Sequence, residues 1–114
     1  MAKSPRMTLQ TQLVLRTLLE TPAKARYGLE LSDAAGLAPG TIHPILARLE
    51  NAGWLESYWE DPSEIEKTDP PRPARRYYRF TPDGAETARL ALAQAYNGGA
   101  TSARLRPSTG GIGG

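Results

Sequence analysis

The sequence contains no cysteine. That excludes disulfides, thiol chemistry and cysteine-ligated zinc sites together. With one histidine, His43, it also lacks the usual side chains of a transition-metal centre. No apolar run approaches the roughly eighteen residues of a membrane span, and the N-terminal stretch MAKSPRMTLQ has no apolar signal region. The expectation is therefore a cytoplasmic protein with no membrane partner. No nucleophile–base arrangement, phosphate-binding glycine motif or metal constellation is present, so neither enzymatic activity nor a cofactor is expected.

What is present is unevenly distributed. The 114 residues carry a net charge of only +2 and 39% hydrophobic residues, enough for one modest core. Residues 60–69, EDPSEIEKTD, hold five acids and one lysine, whereas residues 72–79, RPARRYYR, hold four arginines and no acid. A local basic block attracts phosphate even when the net charge is small. In isolation such a block is equally a solvated loop, so its neighbourhood decides. The acidic run reads as a solvated segment that also repels other anions.

Periodicity supplies that neighbourhood. Residues 8–20 place Leu9, Leu13, Val14, Leu15, Leu18 and Leu19 on a broad apolar helical face that ends before Pro22. A second helix is predicted over 27–35, with Tyr27, Leu31 and Ala34 in register and Gly36 as its C-terminal cap. The third, 40–52, carries one stripe of Ile42, Ile45, Leu46 and Leu49. Gly40, Pro44, Ala47 and Asn51 fall opposite, flanked by Thr41, Arg48 and His43. Pro39 suits helix entry, and Pro44 is assigned to the first turn, where its missing amide costs little. Gly53 ends the helix.

Residues 54–60 and 76–81 alternate as strands, with Leu55 and Trp59 on one face of the first, and Tyr78 and Phe80 on one face of the second. Trp54, Trp59, Tyr77 and Tyr78 are assigned mainly to core or hairpin packing rather than to a ligand. The connection 61–75 contains four prolines and predicts an extended hairpin tip. Thr81 as N-cap, Pro82 and Asp83 open a last helix with Ala85, Ala88, Leu92 and Tyr96 on one stripe. The Gly-, Ser- and Thr-rich remainder predicts a disordered tail.

Helix, helix, short turn, helix and hairpin is the plan of a winged helix-turn-helix, whose third helix enters the DNA major groove. The fold expected is mainly α with a small two-stranded wing: a DNA-binding unit over 1–81, a dimerisation helix over 82–97 and a tail over 98–114. The cleared face offers Pro39, Gly40, Thr41, His43, Pro44 and Arg48 to double-stranded DNA, and the wing offers Arg72, Arg75 and Arg76. Arg26 and Tyr27 precede the second helix, where a phosphate contact competes with packing. A winged helix serving as a protein-interaction module is the alternative; it would expose large apolar residues around Thr41, His43 and Arg48.

Three blocks carry a further likeness: YGLEL at 27–31, GLAPGTIHPILARLENAGWLES at 36–57 and RPARRYYRFTPDG at 72–84. In this order they resemble PadR-type transcriptional regulators, a likeness that spans residues 8–95. His43 stands where that pattern usually has tyrosine, and the single C-terminal helix is similar to the family's small subclass. The resemblance implies a homodimeric repressor of a near-palindromic operator. It implies a dimer interface of the first and last helices, here Leu9, Leu13, Ala85, Ala88, Leu92 and Tyr96. For some small members it also implies a planar aromatic ligand held between protomers.

Overall fold

The computed structural model describes residues 5–67, 69–70 and 72–105, with side chains described as far as Tyr96. The chain runs α1 (Leu9–Glu20), β1 (Arg26–Tyr27), α2 (Gly28–Ala35), α3 (Pro39–Asn51), β2 (Leu55–Trp59), α4 (Pro62–Glu66), β3 (Arg76–Phe80) and α5 (Gly84–Leu105). This is a mainly helical protein with a small antiparallel sheet of strand order β1-β3-β2.

Each helix forms where the apolar period and the end signals agree. Thr8 caps α1 by accepting the Thr11 amide at 3.2 Å. Val14, Leu15 and Leu18 then point inward, while Leu9 and Leu13 stay exposed. Gly36 at φ +70° and Gly53 at φ +83° close α2 and the turn after α3 in a left-handed conformation that suits glycine. The α3 stripe Ile42, Ile45, Leu46 and Leu49 is buried throughout and meets Leu15, Leu18, Leu31, Leu55 and Phe80 in one core. Each such fully buried aliphatic side chain contributes about 2 kcal/mol.

Several expectations are corrected. The sheet has three strands, because Arg26 pairs with Tyr78 and Tyr27 with Tyr77. Tyr27 is thus a strand residue and N-cap, and α2 starts one residue later than predicted. The wing connection contains α4, whose start Asp61 caps by accepting the Ser63 amide at 2.9 Å. Because α3 begins at Pro39, Pro44 lies in its second turn and withholds the bond its amide would give the Gly40 carbonyl.

The last helix differs most. Thr81 does not cap it; its hydroxyl donates to the Gly53 carbonyl at 2.8 Å, tying the end of β3 to the α3–β2 turn. Helix α5 begins at Gly84 and runs to Leu105, eight residues beyond the predicted end at 97. Two adjacent glycines inside it cost about 1 kcal/mol each, but Ala91, Ala93, Ala95, Ala100 and Ala103 favour continuation. Of the predicted tail, residues 106–114 lie outside the described residues.

Candidate nucleic-acid interface

Burying one side of α3 forces the other outward. Pro39, Gly40, His43, Pro44, Ala47, Arg48 and Asn51 are exposed, and Thr41 is half-buried at the edge. The α3 N-terminus is open: Ala38 supplies no side-chain cap, and its carbonyl is taken by the amides of Thr41 at 2.9 Å and Ile42 at 3.0 Å. The Gly40 amide, at the positive end of the helix dipole, therefore has no intrahelical acceptor. A shallow depression of about 330 Å³ joins Gly40, Thr41, Pro44 and Arg48 to Thr8 and Gln10 at the start of α1.

A second groove, about 260 Å³, connects α3 to the wing. His43 enters it from α3, Tyr27 and Gly28 from the start of α2, and Trp59, Arg75 and Arg76 from the wing. His43 sits directly over the α2 start, since a Cβ on Gly28 would come within 2.9 Å of its Cε1. The Arg75 guanidinium carbon lies 4.1 Å from the Tyr27 ring centroid, a cation–π contact that holds the charge at the groove. Tyr27, His43, Arg75 and Arg76, drawn from three separate segments, thus converge on one concave surface.

Two expected contacts are spent elsewhere. Arg26 is buried, because its strand parity puts it on the helix-facing side of the sheet beside Tyr78. It donates to the Thr17 carbonyl at 3.4 Å and Thr21 Oγ1 at 3.2 Å, and its Nε lies 3.1 Å from Glu30 Oε1. That resolves Arg26 as a packing residue. Arg72 is clamped on Glu60 through two 2.7 Å hydrogen bonds, the bidentate geometry that suits guanidinium and carboxylate. It closes the wing connection where that leaves the strands.

The Arg72 hydrogen bonds hold the Glu60 carboxyl below its ordinary value of 4.5, and the Arg75 amide adds to this. A depressed carboxylate contributes stability that is complete above the unfolded value and lost as pH falls through the folded one. The wing connection therefore stays clamped at neutral pH and loosens only below pH 4.5. An NMR titration of the Glu60 carboxyl should give a midpoint under 4.5 that moves up towards it in Arg72→Ala.

The sequence reading missed a row of rings on the solvent side of the sheet. Tyr27 meets Tyr77 edge-on at 5.6 Å, Tyr77 stacks on Tyr58 at 5.7 Å, and Arg79 lies 5.3 Å over Tyr58. The cross-strand register Tyr27–Tyr77–Tyr58 makes this row, and a two-residue β1 gave no periodic sign of it. Trp54 is buried as expected, but Trp59 is 60% exposed. It shares the side of Leu55, yet the sheet has outrun the helices by that point.

On the expected dimer face, Leu9, Leu13 and Tyr96 are exposed, as is Leu90. Ala88 is fully buried in the protomer's own core, with Ala85 and Leu92 packed against it. A helical stripe alone does not distinguish a protomer's own core from its partner's. Among the described residues there is no cluster of metal-ligating side chains, and no helix is long and apolar enough to cross a membrane.

A family model described as "Transcriptional regulator PadR-like family" matches residues 14–90. No curated protein matches significantly. Among solved structures, a PadR family transcription regulator from Clostridium difficile is similar at TM-score 0.58 and 22% identity, over 76% of this chain and 86% of that one. A PadR-like transcriptional regulator from Bacillus cereus gives 0.57 and 22%, over 83% and 87%. Disulfide-formed AbfR gives 0.59 and 23% over 81% of this chain, which spans only 59% of the AbfR chain. At these identities the structural likeness speaks for the fold.

Proposed function

The chain belongs to the PadR-like family of transcriptional regulators, and from that premise we propose that it is a homodimeric repressor that reads a near-palindromic operator with α3 and its wing. Members of the family are DNA-binding transcription regulators, not enzymes. The observation that carries the finer reading is the outer face of α3, free of large apolar side chains and continuous through His43 with the Arg75-bearing groove. Thr41, His43 and Arg48 are the groups offered to the groove and its phosphates, with Pro39, Gly40 and Pro44 admitting close approach. Tyr27, Arg75 and Arg76 take the flanking backbone.

In this reading the segment up to residue 81 is the DNA-binding unit. Helix α5 pairs two copies, with Tyr96 joined by Leu9 and Leu13. Two copies related by a two-fold axis present two α3 helices to half-sites one helical turn apart. Release by a small aromatic ligand is part of the proposal. The structural relative PcaV, 23% identical, is described in complex with its natural ligand, which supports ligand response without identifying a ligand here. The protein-interaction alternative draws on exposed Trp59 and Leu29 beside the same groove.

The wing supplies the test. Arg75→Ala should weaken binding to every duplex alike and flatten the dependence of log K on log salt by about one unit, the signature of one lost phosphate contact. Thr41→Ala should instead erode the preference for a duplex enriched by the protein from a randomised library. An unchanged salt slope in Arg75→Ala would remove the wing from the interface, and a protein that enriches no duplex would favour the protein-partner reading.

A further inference from the structure

Glu50 is an acid on the helix assigned to the major groove, where a carboxylate is ordinarily repelled by phosphate. Its partners give it another part. Ser57 Oγ donates to Glu50 Oε2 at 2.6 Å, while Arg76 donates to the same Ser57 oxygen from Nε at 3.1 Å and Nη2 at 2.8 Å. Arg76 Nη2 also lies 3.6 Å from Glu50 Oε2. One serine hydroxyl thus joins an α3 carboxylate to a β3 guanidinium, using its proton towards the acid and its lone pairs towards the arginine.

The position of this link matters more than its strength. Successive rungs on the helix-facing side of the β2–β3 ribbon are Leu55–Phe80, Ser57–Tyr78 and Trp59–Arg76. The first sits in the core and Tyr78 of the second is still buried, whereas Trp59 of the third is 60% exposed. The ribbon therefore leaves the body of the protein at Ser57. Beyond it, Arg76 folds back to Ser57 and Glu50, with its guanidinium carbon 5.4 Å from the Trp59 ring centroid. Among the described residues this is the outermost hydrogen-bonded link between α3 and the wing.

We propose that Glu50 is a positioning residue for DNA binding. By holding Arg76 through Ser57 it fixes the angle at which the wing leaves α3, so that the cleared helix face and Arg75 meet one duplex together. The inference rests on the proposed docking of α3 and wing. A tilt of about ten degrees at Ser57 would move a side chain three residues farther along, about 10 Å away, by about 2 Å. Hydrogen bonds to phosphate tolerate only a few tenths of an ångström.

This role has a sign opposite to that of simple electrostatics. Removing an acid near a polyanion should tighten binding, whereas removing a positioning acid should weaken it. The experiment is fluorescence anisotropy of the full chain on the duplex it enriches from a randomised library. Wild type, Glu50→Gln, Arg76→Gln and the double variant are compared at two salt concentrations, with thermal midpoints measured alongside. Glu50→Gln is expected to weaken binding about threefold to fivefold, the scale of a partly exposed charged network, and to flatten the salt slope in the direction of Arg75→Ala as the wing loses its phosphate contact. On the Arg76→Gln background the same change should have almost no effect, because the link is already broken.

Equal or tighter binding by Glu50→Gln overturns the proposal, as does a full loss on the Arg76→Gln background. A lowered thermal midpoint with unaltered affinity also overturns it, since that is what a merely structural role would give. Wild-type protein that enriches no duplex overturns the DNA-docking reading and this inference with it, an outcome separate from the others.

Discussion

Gly40→Glu is expected to abolish operator binding while leaving the fold at least as stable. Gly40 is exposed in the first turn of α3, and a Cβ built there meets nothing within 4 Å. The glutamate therefore has room. It replaces the poorest helix former after proline and complements the positive end of the helix, gains worth about 1 kcal/mol together. The same side chain puts a carboxylate where the recognition face must meet bases and phosphates. A like-charge mismatch at a close contact costs several kcal/mol, so affinity should fall by at least about a hundredfold. Thermal unfolding and anisotropy on one protein sample check both halves. Lost binding with a lowered midpoint would mean that Gly40 is structural and would uncouple this residue from recognition.

Gly84→Ala should do the reverse, damaging the fold rather than touching the interface. The β3–α5 junction docks on the α3–β2 turn, where the Trp54 carbonyl receives the Thr81 amide at 3.1 Å. The Gly84 amide in turn donates to the Thr81 carbonyl at 2.9 Å. Gly84 passes so close that a Cβ there would overlap the Trp54 carbonyl oxygen and come within 2.8 Å of Thr81 Oγ1. The oxygen belongs to backbone and cannot swing aside, so α5 must shift and take Ala88 out of its fully buried place. Overpacking of this kind costs about 3 kcal/mol, which lowers the thermal midpoint of a domain this size by about 15 °C. Buried Trp54 reports the change by fluorescence. A midpoint within about 3 °C of wild type, the effect of well under 1 kcal/mol, would mean that α5 is not anchored through this contact.

These two glycines show why part of the molecule was legible in advance and part was not. The α3 stripe Ile42, Ile45, Leu46 and Leu49 is four aliphatics at helical spacing, and such a pattern fixes which side is buried and which is free. From it the exposed face containing Gly40, His43, Pro44 and Arg48 followed directly. The Gly84 contact depends on the backbone of Trp54, thirty residues earlier, and no local pattern encodes that approach.

Long-range pairing hid the rest. β1 is two residues long, too short for an alternation to show, so Arg26 read as a candidate phosphate contact although its parity turns it inward. Arg72 read as part of a basic block, while its partner Glu60 read as part of an acidic one; the fold cancels the two against each other where the wing connection leaves the strands. Ala88 satisfied the period of a dimer stripe, yet the protomer's own core took it. The arginines whose side chains face the α3–wing groove are Arg75 and Arg76, a smaller set than the charge count implied.

The most direct test of the account is an anisotropy titration of the wild-type protein against its enriched duplex and a scrambled duplex of equal composition, at low and near-physiological salt. The account predicts saturation at two protomers per duplex, with a preference for the enriched sequence that survives the higher salt. Equal affinities for both duplexes that vanish together as salt rises would contradict it, leaving a basic wing without a reading helix.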